Sequence, residues 1–159
     1  MISVSMDMAA VKGFMGKLLR EDVLDEFEIR GAELSLNIRI SINGALESPG
    51  TASEEGTKPT STGYISWGNL RPMVYDIIKA GAKPKQVKIV FSYKAQDVKT
   101  IHPNAAALFL NMVYENDAVF FTTATAQREF ALDKSLDDSW DEWVREFFVQ
   151  KGIAVTDRE

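Results

Sequence analysis

Ala106-Ala107-Leu108-Phe109-Leu110-Asn111-Met112-Val113-Tyr114, then Glu115-Asn116-Asp117, then Ala118-Val119-Phe120-Phe121-Thr122-Thr123-Ala124-Thr125 is the stretch that decides the fold class. Both flanks are rich in Phe, Val, Met and Thr, residues that fit a pleated, half-buried surface. The three polar residues between them form a turn signal. The stretch reads as a β-hairpin, and a hairpin sets its two strands antiparallel.

Working outward toward the N-terminus, Val87, Ile89, Phe91 and Tyr93 alternate with Lys88, Ser92 and Lys94, which is a further half-buried strand. Ahead of it Trp67, Leu70, Val74, Ile77 and Ile78 recur at helical spacing. Asn69 is expected at the N-cap of this helix and Pro72 in its first turn, where a missing N–H costs nothing, with Gly81 closing it. Farther out, Phe27 to Gly31 alternates, and Leu34, Leu36, Ile38, Ile40 and Ile42 alternate against polar neighbours. The apolar set moves from odd to even numbers between Ile29 and Leu34. The chain must therefore bulge or turn near Gly31-Ala32, or fold back near Asn37, and the break is placed at Gly31. Asn43-Gly44 reads as the turn that ends the run. Met8, Val11, Phe14, Met15, Leu18 and Leu19 form the apolar stripe of an N-terminal helix capped by Asp7.

Toward the C-terminus, Arg128 to Leu132 is expected to add a short strand. Leu136, Trp140, Trp143, Val144, Phe147 and Phe148 define a closing helix, with Ser135 and Asp138 as its capping box. The segment 45–63, rich in Ser, Thr, Gly, Pro and Glu, is expected to be a mobile loop, and 154–159 a frayed tail. Hairpins in place of βαβ units predict an α+β fold. The expected architecture is a mainly antiparallel sheet of five to six strands with three helices, N-terminal, central and C-terminal, packed on its apolar face. Residues 1–159 are read as a single domain.

Composition removes whole classes of chemistry. A chain of 159 residues can bury one sizeable core without a staple. With no cysteine there is no disulfide scaffold, thiolate metal site or cysteine nucleophile, and a single histidine leaves at most one Ser-His-Asp arrangement. A formal net charge of −5 argues against a surface given over to nucleic acid or anionic membrane. No basic leader opens the chain, and no apolar run approaches the ~20 residues that span a bilayer, so a cytoplasmic location is expected.

Few motifs offer chemistry. Asp137-Asp138-Ser139-Trp140-Asp141 matches the DDxxD string of diphosphate-binding enzymes, but here it opens an amphipathic helix, where first-turn acids stabilise the macrodipole, and no metal is expected. His102, with Asp97 to orient it, is the candidate catalytic pair; a surface or turn role competes with that reading. Between Arg71 and Lys99 seven basic residues face two acidic ones, and Arg71, Lys79, Lys83, Lys85 and Lys88 are the candidates for an anionic ligand. A solvated basic edge that deters strand pairing explains the same residues. The stripe Trp140, Trp143, Phe147 and Phe148 is read as core, with a homodimer or partner interface as the competing reading. No glycine-rich phosphate loop occurs, and no cofactor is expected.

Two stretches, Ser66-Trp67-Gly68-Asn69-Leu70-Arg71-Pro72 running on to Lys88-Ile89-Val90, and Asp133-Lys134-Ser135-Leu136 running on to Phe147-Phe148, resemble a family of small single-domain proteins of unknown function from clostridia and related bacteria. The resemblance runs over most of the chain. It departs from the family pattern in 45–63 and in Thr123-Ala124-Thr125, where a glycine is more usual, which leaves the hairpin register there open. It implies a cytoplasmic bacterial protein of one domain and brings no activity or site residue with it. The expected function is a non-catalytic binding or interaction module, self-associating as a homodimer or bound to a protein partner. A small acidic chaperone-like protein and a cofactor-free enzyme using His102 are the alternatives.

Overall fold

The computed structural model describes residues 1–47, 63–81 and 83–158. Most of the loop expected over 45–63 therefore lies outside the described residues. At its ends Ala45 bridges to Tyr64, and the Leu46 N–H donates to the Gly63 carbonyl at 2.7 Å.

The chain runs β1 (Ser3–Met6), α1 (Met8–Arg20), β2 (Glu28–Ser35), β3 (Arg39–Asn43), α2 (Trp67–Ala80), β4 (Gln86–Ser92), a 3₁₀ turn (Ala95–Thr100), β5 (Ala105–Glu115), β6 (Ala118–Gln127), α3 (Ser135–Gln150) and β7 (Val155–Asp157). The architecture is α+β, with one antiparallel sheet in the order β3-β2-β4-β5-β6-β1-β7. Among the described residues it has seven strands, which corrects the expected five to six. The two additions are β1, only four residues long, and β7, which forms in the tail expected to fray. Neither is long enough to show a period of its own, and each is held by its neighbour: Val4 faces Phe121 on one side and Asp157 on the other. The converse correction falls on Arg128 to Leu132. This segment is a loop, because its backbone groups bond to the side-chain amides of Asn104 and Gln127 in place of a neighbouring strand.

The hairpin that decided the fold class is present as β5 and β6. Its turn is the pair Asn116-Asp117, both at positive φ (52° and 60°), the conformation that matches the twist of a two-residue hairpin. The register stays continuous through Thr123-Ala124-Thr125, with Phe109 opposite Ala124.

Both alternatives raised for residues 27–42 occur together. A bulge shifts the register between Ile29 and Gly31, moving the buried positions from odd to even numbers, as expected at Gly31. The alternation from Leu34 to Ile42 is nevertheless two strands, because the chain folds back through 36–38 and sets Leu34 opposite Ile40. A three-residue loop pairs residues of equal parity, so odd–even alternation passes through it unbroken. Asn43-Gly44 is not the turn. Gly44 donates its N–H to the Arg30 carbonyl at 3.1 Å, and a Cβ there would stand 1.7 Å from the Ile29 carbonyl oxygen, so only glycine fits beside the bulge.

The helices pack on one face of the sheet around a single buried cluster among the described residues. Asp7 caps α1 as expected, accepting from the Ala9 N–H at 3.2 Å. For α2 the cap is Ser66, not Asn69, so Pro72 lies inside the helix and leaves the Gly68 carbonyl without its usual partner. For α3 the capping role falls to Asp133, whose carboxylate accepts the Ser135 N–H at 3.0 Å, in place of the Ser135–Asp138 box. The Trp140 stripe is core: Trp140, Phe147 and Phe148 are buried, Trp143 half-buried, and the Trp140 and Trp143 rings stack at 5.2 Å. The indole N–H groups of Trp140 and Trp67 donate to the carbonyls of Phe109 and Leu18, so neither tryptophan buries an unpaired donor.

Candidate functional site

A cleft of about 560 Å³ opens between α1, the C-terminal end of α2 and the β5–β6 turn. Met8, Val11, Met15 and Leu19 from α1 form one wall, and Ile78 and Pro84 the other. On α1 these positions follow the i, i+3, i+4 spacing that the sequence showed as a core stripe. The stripe is wider than the surface it covers: Val11 is buried, Met15 and Leu19 are half-buried, and Met8 is exposed. Methionine and leucine give this wall shape-adaptable, apolar side chains.

Polar groups sit at the lip. Lys83 forms an ion pair with Asp117, and Asp117 also accepts the Tyr114 hydroxyl at 3.1 Å. The Lys83 ammonium, followed by the Tyr114 hydroxyl, holds the Asp117 carboxyl below its ordinary value. Lys83 is raised, chiefly by its bond to Asp117. Burial, then the bond to Asp117, pushes the Tyr114 phenol up. At neutral pH the trio is therefore one ammonium, one carboxylate and one neutral phenol, and none of them exchanges a proton near pH 7. Lys12, exposed on α1, completes the rim.

The candidate catalytic residues meet different partners from those the sequence suggested. His102 Nε2 lies 2.9 Å from Ser135 Oγ, and its Nδ1 accepts the Asn104 N–H at 3.1 Å. With Nδ1 accepting, the neutral ring carries its proton on Nε2 and donates it to Ser135. The Ser135 hydroxyl in turn donates to Asp133 Oδ1 at 2.5 Å. An acyl-transfer relay needs the opposite order, with histidine between acid and serine and ready to accept the serine proton. Here serine lies between the other two. The row ties the start of β5 to the start of α3, and the Ser135 donors hold the Asp133 carboxyl below its ordinary range, with His102 adding a smaller effect. Asp97 lies in the 3₁₀ turn, where its carbonyl accepts from the Thr100 hydroxyl.

Two of the three acids of the DDxxD string, Asp137 and Asp141, also have structural partners, while Asp138 is exposed. Thr125 donates its hydroxyl to Asp137, and Thr123 donates to Asp141 at 2.5 Å. Residues i and i+4 stand about 6 Å apart along a helix, and i and i+2 nearly 7 Å apart along a strand, so the two pairs match in pitch and pin α3 to β6.

The five basic candidates are spread over several elements. Arg71 on α2 makes a two-pronged ion pair with Asp25, at 2.7 and 2.8 Å. Lys79 reaches the Tyr75 ring, Lys83 stands at the cleft, Lys85 precedes β4, and Lys88 faces outward from β4 opposite Glu33 and Val113. The structure brings Lys83 alone of these to the cleft, beside Lys12. In the sequence Met8 and Met15 read as core, Tyr114 as strand and Asp117 as turn, and none of the four as part of a site. Methionine in place of branched or aromatic residues along the α1 stripe was the one signal that pointed to the cleft.

Residues 17–156 match the model of DUF5721, a family of unknown function. The chain belongs to this family. No curated protein matches it, and no solved structure does. Within this DUF5721 chain the matched span holds Leu19, Ile78, Lys83, Tyr114 and Asp117 of the cleft, together with the whole His102–Ser135–Asp133 row, while Met8, Lys12 and Met15 precede it. Among the described residues no helix is long and apolar enough to cross a membrane.

Proposed function

We propose that this chain is a non-catalytic binding module of the bacterial cytoplasm, with its seat in the cleft between α1, α2 and the β5–β6 turn. The observation that carries the reading is the cleft's build: about 560 Å³ with thioether and aliphatic walls and a few polar groups gathered at one lip. Clefts of this size and lining suit an organic guest whose apolar part enters while a few polar contacts fix its orientation. Lys12, together with the internally neutral Lys83–Asp117 pair, leaves the rim positive, which favours a guest with negative charge beside its apolar part. The lip groups titrate away from neutrality, as befits fixed hydrogen-bonding groups more than a proton shuttle. The inverted His102 row, tied up in joining β5 to α3, supports the same reading.

Anilinonaphthalene sulfonate, an apolar anion, is the probe. Its fluorescence should rise on binding, and methyl resonances of Met8, Met15, Leu19 and Ile78 should shift together. A variant carrying Met8→Glu and Lys12→Glu, both at exposed positions, should lose the enhancement. Shifts centred elsewhere, or enhancement that survives in the variant, would overturn the proposal.

A further inference from the structure

Phe130 and Leu132 are 85% and 87% exposed, the most exposed large apolar side chains among the described residues. Exposed apolar residues on a floppy loop would need no explanation. This loop is held from both sides. The side-chain amide of Asn104 donates to the Glu129 carbonyl at 2.8 Å and accepts the Glu129 N–H at 3.0 Å. Gln127 does the same for Ala131, accepting its N–H and donating to its carbonyl, both at 3.1 Å. The Arg128 N–H adds a bond to the Asn104 carbonyl at 2.8 Å. Two reciprocal amide clamps thus fix the backbone on either side of Phe130, and the His102–Ser135–Asp133 row braces the same corner. Fixing a loop in advance removes the ordering cost of binding, so two solvated side chains on a clamped backbone form a pre-organised knob.

The same chain carries an apolar cleft, and it lies at the other end of β6. The cleft is lipped by Asp117, just before Ala118, and the knob follows Gln127. Ten residues of strand separate them by about 30 Å, so no chain can place its knob in its own cleft. Charge agrees as well. Loop residues 128–133 hold one arginine against two acids, while the cleft rim holds Lys12 beside a neutral ion pair. Among the described residues neither Lys12 nor the Glu129 side chain has an ion-pair partner.

We propose that the occupant of the cleft is the Phe130–Leu132 knob of a second copy of this chain. This rests on the reading of the cleft as a binding seat and names its partner. Because knob and cleft are different surfaces, the contact is heterologous: each copy offers a free knob at one end and a free cleft at the other. Association then grows head to tail into rings or open chains and does not stop at a two-fold dimer. Two anchoring side chains make a small interface, so affinity is modest and assembly depends on concentration.

Sedimentation of three proteins tests this. The wild-type chain should gain mass steadily between about 1 and about 500 μM. A knob variant, Phe130→Ser with Leu132→Ser, and a cleft variant, Met8→Glu with Lys12→Glu, should each remain monomeric. Mixed in equal amounts, the two variants retain one intact cleft and one intact knob between them, so they should form a one-to-one complex and nothing larger. Lys12→Glu alone serves as the cleft variant if the double change disturbs the melting curve. A wild-type chain that stays monomeric, a knob variant that still assembles, or a mixture that forms no complex would each overturn the proposal. If the sulfonate probe still binds in any of these cases, the binding reading stands and only the self-docking falls. If the probe fails too, both fall.

Discussion

α1 and α3 lie on the same face of one sheet and both touch β6, but α3 is sealed against it while α1 leaves a cleft beside it. On the α3 side the contacts are large and flat. Trp140, Trp143 and Phe147 stack in sequence at 5.2 and 5.3 Å, Phe27 meets Phe147 and Trp143 edge-on, and two threonine–aspartate bonds pin helix to strand. On the α1 side Phe14 reaches Phe121 at 5.8 Å, but toward α2 the helix offers methionine, leucine and valine, which do not fill the space above Tyr114. Rings of fixed shape interlock into a dry seam and tie down a single arrangement. The methionines of this wall, unbranched and flexible, leave a surface that can reshape around a guest.

The widest gap between the two sides should appear on truncation. Trp140→Ala removes a fully buried indole with a satisfied N–H and should cost about 4 kcal/mol, read from the urea midpoint. Met15→Ala, at the half-buried cleft wall, should cost only about 1 kcal/mol. Similar costs would mean that the α1 seam is as tightly packed as the α3 seam, and the contrast would fail.

Next in size are the pins. Asp141→Ala leaves the buried Thr123 hydroxyl without its acceptor and should cost about 1 to 2 kcal/mol. Combined with Thr123→Val it should cost less than the two changes added together, since both remove the same bond. Strict additivity would show that the pin does not couple helix to strand.

The smallest effects should come from pH. Asp133 at the α3 corner and Asp117 at the cleft lip both titrate below the unfolded value of about 3.9. A carboxyl lowered on folding contributes stability that is complete above the unfolded value and is lost as pH falls through the folded one. Asp133→Asn and Asp117→Asn should therefore each lower stability slightly at pH 6, and the loss should shrink as pH falls below the unfolded value. Both groups are exposed, so salt should weaken both effects. A difference that stays undiminished as the carboxyls protonate would place its origin in packing and not in charge.

Much of the fold was legible in local pattern. The β5–β6 hairpin, the three helical stripes and the bulge at Gly31 each announce themselves within a dozen residues, because side-chain period and turn chemistry are local properties. Local pattern misleads where two structures share it. The turn at 36–38 preserves parity and hides inside an alternating run, and Asn43-Gly44 looks like a turn although its glycine is required by the Ile29 carbonyl. Arg128 to Leu132 has strand-like apolar spacing but no neighbouring strand to pair with. Of the candidate site, the sequence marks Lys83 as a binding candidate but not Met8, Met15, Tyr114 or Asp117, because a stripe facing a cleft and a stripe facing a core have the same period.

The sequence by itself determined the antiparallel α+β class, the helices and the exclusion of thiolate and multi-histidine chemistry, since each follows from composition or from spacing along one segment. Tertiary structure alone decided that Ser3 faces Thr122, that Asp141 and Asp137 of the DDxxD string accept from Thr123 and Thr125, that His102 reaches Ser135, and that α1 leaves a cleft. Each of those depends on the distance between side chains far apart in the chain, and periodicity carries no information about that distance.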